Sequence, residues 1–281
     1  MKTLTYLALF TLGLGLTACS SKEVHLNEHH PNSVEKNPVK IEASPSEKQA
    51  IHKHEDWSYQ GETGPEHWAE LEKTSSCGGM HQSPINIVEY QTDEQLPPLD
   101  IQYADQTILH DVVNNGHSIQ YDFEEGDYIV LEGEKFYLKQ FHFHEPSEHT
   151  IEGIRYPLEM HLVHANKDGD IAVLAVMAKE GGQSAPFDFL EAYLPLAAGA
   201  KKEIGKPFDM NLNLPKDRSY YHYKGSLTTP PCSENVQWYI FKTPIDISLK
   251  QAKILEENMP VHNYRNEQPV NDRIVKASPN F

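Results

Sequence analysis

The sequence has only three cysteines, no long apolar run, and far fewer basic than acidic side chains. No transmembrane helix is expected, because a helix needs about 20 apolar residues to cross a bilayer. The 281 residues carry 24 Lys and Arg against 41 Asp and Glu, a formal net charge of −17. Nucleic acids and anionic lipid surfaces attract basic patches, so neither is expected as the main partner. Hydrophobic residues make up 38% of the chain, which excludes a wholly disordered or collagen-like protein.

The N-terminus has the pattern of an export signal. Lys2 precedes an uncharged, mostly apolar stretch over residues 4–18, which is too short for a membrane span and typical of a secretory signal. The end of this stretch and the residue after it, positions 16–19, read Leu-Thr-Ala-Cys. This resembles a bacterial lipoprotein signal, in which the Cys becomes the lipidated first residue of the mature chain. We therefore expect residues 1–18 to be removed and Cys19 to carry lipid, since an odd thiol in an exported protein needs a reason. An ordinary signal peptide is the alternative.

Residues 19–56 are expected to form a disordered tether. From residue 20 onward the segment has no Phe, Tyr or Trp, so it cannot bury enough surface to offset the entropy lost on ordering. It holds five scattered histidines, which are His25, His29, His30, His52 and His54. Metal binding by these side chains is left open, solvated histidines being the simpler interpretation. The folded part is predicted to run over residues 57–281 as one domain.

The sequence of the folded part predicts a mostly β, α+β architecture. Strand-like patterns occupy residues 117–123, 136–143, 157–165, 171–178 and 236–241, and the fourth is apolar enough to be buried on both faces. Turn signals at residues 114–116 and 167–170 separate strands. One helix is predicted to begin at Ser248, because Gln251 three residues later completes a capping box. We expect a large, twisted, predominantly antiparallel sheet with short peripheral helices.

Three histidines on two neighbouring strands indicate a metal site. His142 and His144 share one strand face, because side chains repeat every two residues, and Glu159 and His161 share a face of the next strand. Two adjacent antiparallel strands can therefore present three imidazoles to one point. Three nitrogen ligands with an open fourth position are typical of catalytic rather than structural zinc.

A His-x-His pair alone is weak evidence, and another metal class fits part of the pattern. His142, His144 and Glu148 also match the first metal motif of cupins, in which the Glu is a ligand and iron or manganese is common. The stretch before His161 lacks the glycine that the second cupin motif needs. Two other histidines, His149 and His164, are interpreted as structural, and His164 falls on the strand face opposite to His161.

Several motifs together resemble the alpha-class carbonic anhydrases. Residues 140–149 (QFHFHEPSEH) and 159–164 (EMHLVH) are similar to the family's zinc-binding signature, and residues 225–232 (GSLTTPPC) resemble its catalytic loop. Further matches lie at residues 82–87, 114–117 and 268–269, so the resemblance covers essentially all of 57–281. It implies that family's fold, a Zn²⁺ cofactor and the reversible hydration of carbon dioxide to bicarbonate and a proton.

The resemblance also assigns the metal ligands. His142, His144 and His161 are expected to bind Zn²⁺, and Gln140 and Glu159 are expected to accept hydrogen bonds that fix the ligand rings. A non-catalytic binding module of the same family is the alternative, but such modules typically lack one or more of these histidines, and here all three are present. The small-molecule partners implied are carbon dioxide and bicarbonate, while a homodimer is possible.

The resemblance further implies that a set of catalytic groups surrounds the metal. Thr228 is expected to accept a hydrogen bond from zinc-bound hydroxide while donating its own proton to Glu148, since an ionised carboxylate can only accept. His117 is expected to shuttle the proton to solvent, because its unperturbed pKa suits transfer near neutral pH. Tyr59 and Asn115 are expected to order the water molecules between them.

The resemblance also implies an apolar wall that receives the uncharged substrate, formed by Val163, Val173, Leu227 and Trp238. The expected substrate-binding residues are these four together with Thr228 and Thr229. Cys77 and Cys232 are expected to form a disulfide beside the catalytic loop, because export favours it. The expected location is the periplasm or cell surface, with the lipid on Cys19 as the sole membrane contact.

Overall fold

The computed structural model describes residues 57–71, 75–260 and 262–281. The signal, the lipidated cysteine and the tether predicted within residues 1–56 lie outside the described residues. In the described ranges, none of the helices combines the length and apolar character that a membrane crossing requires.

Strands dominate the described chain. They are β1 (Asn86–Ile87), β2 (Gln91–Thr92), β3 (Asp100–Gln102), β4 (Thr107–Asn114), β5 (Ile119–Phe123), β6 (Tyr128–Leu131), β7 (Glu134–His144), β8 (Thr150–Ile151), β9 (Ile154–Arg155), β10 (Leu158–Ala165), β11 (Ile171–Glu180), β12 (Lys201–Phe208), β13 (Tyr220–Ser226), β14 (Glu234–Phe241), β15 (Ile245–Ile247) and β16 (Lys276–Ala277). The α-helices are α1 (Trp68–Leu71), α2 (Ala185–Glu191) and α3 (Leu249–Glu256), and 3₁₀ turns lie at Gly61–Thr63 and Met210–Asn213.

One large sheet forms the centre of the fold. Its main path runs β12-β4-β5-β7-β10-β11-β14-β13-β16-β2, with β3, β6 and β15 attached at the sides. Most neighbours are antiparallel, and the parallel pairs in this sheet are β11 with β14, β11 with β15, and β16 with β2. A small second sheet joins β1, β8 and β9. The predicted fold class, mostly β with a predominantly antiparallel sheet and few helices, is confirmed.

The alternating sequence pattern of β7 separates a core face from a site face. Phe141 and Phe143 are fully buried in the main hydrophobic cluster, where Phe141 stacks on Tyr121 with ring centroids 4.9 Å apart. Fully burying a phenylalanine side chain stabilises a fold by about 1.5–3 kcal/mol, so these positions fix the phase of the strand. The intervening His142 and His144 must then point to the opposite face.

The predicted segments 136–143, 157–165, 171–178 and 236–241 correspond to β7, β10, β11 and β14. The segment predicted over 117–123 starts two residues later as β5. In the structure, the Asn115 side-chain oxygen accepts hydrogen bonds from the backbone N–H groups of His117 and Ser118 at 2.9 and 2.8 Å. Gly116 adopts a φ of 85°, which favours glycine. This side-chain turn places His117 before the strand, not in it.

Helix α3 begins as the sequence predicts. The Ser248 hydroxyl accepts from the Gln251 backbone N–H at 3.3 Å, and the Gln251 side-chain oxygen accepts from the Ser248 N–H at 3.1 Å. This reciprocal pair is a capping box and satisfies two donors that helix formation leaves unpaired. The Gln251 amide also donates to Ser184 O and Asp188 Oδ1, so the same residue ties α3 to α2.

Candidate active site

Antiparallel pairing of β7 with β10 brings the three predicted ligands together. The register places His161 opposite His142 and Glu159 opposite His144. The candidate ligand atoms of His142, His144 and His161 all lie within 4.8 Å of one another. His144 and His161 are each only 1% exposed, while His142 is half-buried. The site therefore combines two almost fully buried rings with a third that is partly exposed.

Two of the rings are held by side chains that the sequence predicts. His142 Nδ1 lies 2.9 Å from Gln140 Oε1, and His161 Nε2 lies 2.8 Å from Glu159 Oε1. An amide oxygen and an ionised carboxylate can only accept, so these ring nitrogens carry the hydrogens. Nε2 of His142 and Nδ1 of His161 are then left with lone pairs for a metal.

The third ring is held by a group that sequence reasoning missed. His144 Nδ1 lies 2.6 Å from the backbone oxygen of Asn263, which leaves Nε2 with the lone pair and without a hydrogen-bond partner. The Asn263 side chain accepts from the Glu145 N–H at 2.8 Å and donates to Phe143 O at 2.9 Å. Asn263 thus holds both the ring and its backbone, although a backbone carbonyl carries no signal in the sequence.

Burial favours the metal-binding forms of these groups. It lowers the pKa of His142 well below the ordinary histidine value, and it also lowers the pKa of His144. Neutral imidazole is the form that binds a metal. Burial alone would raise the pKa of Glu159, but His149 and His161 hold it well below its usual range. Glu159 is therefore ionised beside the His161 ring.

A second cluster, His149, Glu159 and His161, is close enough in geometry to hold an ion. Its polar atoms are already bonded to one another, because Glu159 Oε1 lies 2.7 Å from His149 Nδ1 and 2.8 Å from His161 Nε2. The other His149 nitrogen lies 2.7 Å from the Tyr223 hydroxyl. Both nitrogens of His149 thus have partners. The second cluster contributes to the first site through Glu159, which fixes the His161 ring.

His164 is buried on the other side of the sheet. Its Nε2 lies 2.6 Å from the Tyr103 hydroxyl, and burial lowers the pKa of His164 to about 3. The ring is therefore neutral at pH 7. The structure does not bring His164 to the other three histidines, in keeping with the strand phase inferred from sequence.

Glu148 is fully buried beside the candidate ligand nitrogens. Its Oε1 accepts from the Arg265 backbone N–H at 2.9 Å. Its Oε2 lies 3.4 Å from His144 Nε2 and 3.9 Å from His161 Nδ1, and has no hydrogen-bond partner. The expected bond from Thr228 is therefore not formed in the structure, because Oε2 is turned toward the two imidazoles. Thr228 itself is buried and is the second residue after β13.

A cavity of about 140 Å³ opens onto two of the three histidines. Its lining comprises Trp57, Tyr59, Asn115, His117, Ser118, Gln120, Gln140, His142, His144 and Thr229. The structure thus brings the predicted proton-transfer residues and Thr229 to the mouth of the site. Burial, and then the Glu148 charge, raise the pKa of Tyr59 well above its usual value, so its hydroxyl stays protonated.

The His117 ring stacks on Trp57, with centroids 3.6 Å apart and planes 13° from parallel. This contact was not predicted, since Trp57 and His117 are distant in sequence. It holds the His117 ring at the rim of the cavity, next to Tyr59 and Asn115.

The predicted apolar wall forms one cluster next to His161. Val173 and Trp238 are buried, and Val163 and Leu227 pack against them in the same cluster. Strand register places Val163 opposite Val173, and Val173 opposite Trp238. The Trp238 ring centroid lies 4.9 Å from that of His161, so the wall borders the ligands.

Cys77 and Cys232 form a disulfide, as predicted. The Cys232 backbone N–H donates to Thr229 O at 2.8 Å, and the Ser76 N–H donates to Pro231 O at 2.8 Å. The bond therefore ties the loop that follows β13 to the segment near residue 77. A disulfide of this kind fits an exported protein.

Removing this disulfide is expected to destabilise the fold more than it changes the site. The cysteines are 155 residues apart, and losing a cross-link over so long a loop should lower the free energy of unfolding by about 2–5 kcal/mol. Denaturant unfolding of the oxidised and reduced protein measures the effect. The double variant Cys77→Ser/Cys232→Ser is the control, because a reducing agent should not change its unfolding midpoint. Equal midpoints for oxidised and reduced wild-type protein would contradict the expectation.

Comparison with known proteins identifies the family of this fold and site. A sequence model of the family described as eukaryotic-type carbonic anhydrase matches residues 63–279. The carbonic anhydrase of Klebsiella pneumoniae is 44% identical over 224 residues, which cover 78% of this chain and 89% of that protein. The chain therefore belongs to the eukaryotic-type, or alpha-class, carbonic anhydrases, a family of lyases.

Solved structures agree with this assignment. The alpha-carbonic anhydrase of Thermovibrio ammonificans, in complex with the inhibitor sulfanilamide, has a TM-score of 0.75 at 42% identity, covering 79% of this chain and 98% of that chain. Dioscorin complexed with ascorbate has a TM-score of 0.74 at 30% identity, covering 79% and 97%. These two proteins share the fold but differ in name and in bound ligand. The fold alone therefore does not determine the activity, which depends on the residues of the site.

Proposed function

We propose that the protein catalyses the zinc-dependent, reversible hydration of carbon dioxide to bicarbonate and a proton. The observation that carries the proposal is the convergence of three imidazoles, each with its other nitrogen bonded to a fixed acceptor. Three nitrogen ligands and an open fourth position fit catalytic Zn²⁺. When bound there, Zn²⁺ would act as a Lewis acid and lower the pKa of a bound water to about 7, as it does in carbonic anhydrase.

The surrounding residues would prepare the reactants. Val163, Val173, Leu227 and Trp238 offer apolar contacts to a substrate that is uncharged and has no hydrogen-bond donor. The buried Glu148 carboxylate has one oxygen without a partner. We propose that the Thr228 hydroxyl donates to this oxygen, which would leave the hydroxyl's lone pair to orient the reacting water.

A hydration assay with metal analysis tests the proposal. We expect purified protein to hydrate carbon dioxide, to contain zinc rather than iron or manganese, and to lose activity on treatment with a zinc chelator. Sulfanilamide should inhibit it, as it does the Thermovibrio ammonificans enzyme. Zinc-loaded protein without hydration activity would overturn the proposal and favour a binding module.

His117 is proposed to carry the proton from the site to solvent. Histidine is the side chain whose ordinary pKa lies nearest to that of such a bound water, so a transfer to it is only slightly uphill. His117→Ala should therefore lower kcat about tenfold or more in dilute buffer, while kcat/KM for hydration stays nearly unchanged. Concentrated imidazole buffer should restore the rate.

Stopped-flow hydration at several buffer concentrations measures this effect. The matched control is His110→Ala, which removes an exposed histidine of β4 that does not line the cavity. An unchanged kcat for His117→Ala in dilute buffer would show that the proton leaves by another route.

We also propose that the protein is exported and held at a bacterial membrane by lipid on Cys19. The disulfide supports export. Mass spectrometry of the mature N-terminus tests the lipid, and a soluble, unmodified wild-type protein after export would refute the anchor.

A further inference from the structure

Arg155, which the sequence analysis did not single out, binds the backbone carbonyl oxygens of Ser147 and Glu148. Arg155 ends β9, and its Nη1 donates to the carbonyl oxygens of Ser147 and Glu148, the latter at 3.3 Å. Its Nη2 donates to Glu267 Oε1. The guanidinium lies over the Tyr264 ring, 4.4 Å from the centroid. One planar group thus contacts two backbone carbonyls, one carboxylate and one aromatic face.

Two of the groups that Arg155 contacts, Tyr264 and Glu267, belong to the same C-terminal segment that holds the Glu148 carboxylate. Residue Arg265, between Tyr264 and Glu267, donates its backbone N–H to Glu148 Oε1 at 2.9 Å. That is the one hydrogen bond the carboxylate receives among the described residues. Its position therefore depends on the spacing between residues 147–148 and residues 264–267. Arg155 and Glu267 bridge these two segments directly.

We propose that Arg155 and Glu267 form a positioning clamp for the Glu148 carboxylate. The proposal rests on the function proposed above, in which Glu148 orients Thr228. Exposed ion pairs contribute little on their own, but this guanidinium also binds two carbonyls. Its loss therefore frees the carbonyl side of Glu148, while the Glu148 N–H stays bonded to Glu159 Oε2 at 2.8 Å. A planar fork is needed to reach all of these acceptors, which a lysine ammonium cannot do.

The kinetic test is a double-mutant cycle. Arg155→Met should lower kcat/KM for hydration about tenfold, since a small displacement of a catalytic group is costly, while stoichiometric zinc is retained. In a Glu148→Gln background, the same substitution should change kcat/KM less than about twofold, because residues that act through one another are not additive. An equal tenfold loss in both backgrounds would show a merely structural role and overturn the clamp.

The controls separate the clamp from general surface effects. Lys179→Met breaks an exposed ion pair with Asp246, whose atoms lie 3.6 Å apart, and should leave kcat/KM unchanged. Arg155→Lys should recover only part of the loss, because it keeps the charge but not the fork. Glu267→Gln is a second clamp variant, to be used if Arg155→Met does not fold. It should also lower kcat/KM.

A second readout does not depend on activity. Amide hydrogen exchange at Arg265 should become about tenfold faster in Arg155→Met if the segments separate, because exchange follows local opening. The exchange rate should not change in Lys179→Met. Unchanged exchange at Arg265 in both clamp variants would overturn the inference even if wild-type protein hydrates carbon dioxide. Inactive wild-type protein with faster exchange in the variants would instead count against the proposed function alone.

Discussion

His161→Ala is expected to remove the metal and the hydration activity together. The variant leaves two imidazoles, which do not make a catalytic zinc site, and it leaves Glu159 without the ring that its Oε1 contacts at 2.8 Å. We expect zinc well below stoichiometric, and a fall in kcat/KM of more than about 10³-fold, because enzymes as a whole accelerate reactions by at least about 10⁶-fold. Metal analysis and stopped-flow hydration measure the two losses on the same sample.

His164→Ala is the matched control for this variant. The two histidines lie three residues apart on one strand, but His164 faces the other side and contacts Tyr103. The control should retain zinc and activity while losing about 1–3 kcal/mol of stability, because a buried tyrosine hydroxyl loses its partner. Comparable zinc loss in both variants would show that the strand phase is wrong. Stoichiometric zinc and full turnover in His161→Ala would refute the ligand assignment.

The convergence of the three histidines could be anticipated because it follows from strand periodicity. Burial of Phe141 and Phe143 determines which face of β7 packs on the core. Because side chains alternate along a strand, His142 and His144 must then point to the other face. Pairing with β10 then brings His161 to the same place. These steps need only local alternation and one neighbouring strand, both of which leave a clear pattern in a sequence.

The groups that hold the site from the C-terminal segment could not be anticipated in the same way. The Asn263 carbonyl and the Arg265 N–H are backbone groups, which every residue has, so no residue type marks them. Each lies more than 100 positions from its partner in the chain. The contact between Arg155 and Glu267 spans 112 residues and is likewise visible only in the fold.

The position of His117 shows how local chemistry can override a strand pattern. Its alternation with the following residues predicts a strand, but the Asn115 side chain captures the backbone N–H groups of His117 and Ser118. Asparagine competes for backbone hydrogen bonds in this way at turns. The ring consequently stacks on Trp57 at the cavity rim, where a proton acceptor would need to be.

Thr228→Val is expected to lower kcat/KM about 10²- to 10³-fold, the size of effect seen when one preorganised hydrogen-bonding group is lost from an active site. Valine nearly keeps the shape of threonine but has no hydroxyl, so it cannot make the proposed bond to Glu148 Oε2, a buried oxygen without a hydrogen-bond partner in the structure. Zinc content should not change, because the three converging candidate ligand nitrogens belong to His142, His144 and His161. Metal analysis and kcat/KM for hydration together measure the effect.

Thr228→Ser keeps the hydroxyl and is the matched control, so its kcat/KM should fall less than about tenfold. Combining Thr228→Val with Glu148→Gln should cost little more than either change alone, because both would remove the same proposed hydrogen bond. If Thr228→Ser is as impaired as Thr228→Val, the methyl group and its packing matter rather than the hydroxyl. If Thr228→Val keeps wild-type kcat/KM with zinc bound, Glu148 does not act through Thr228, and its buried carboxylate must serve the histidines that its Oε2 faces.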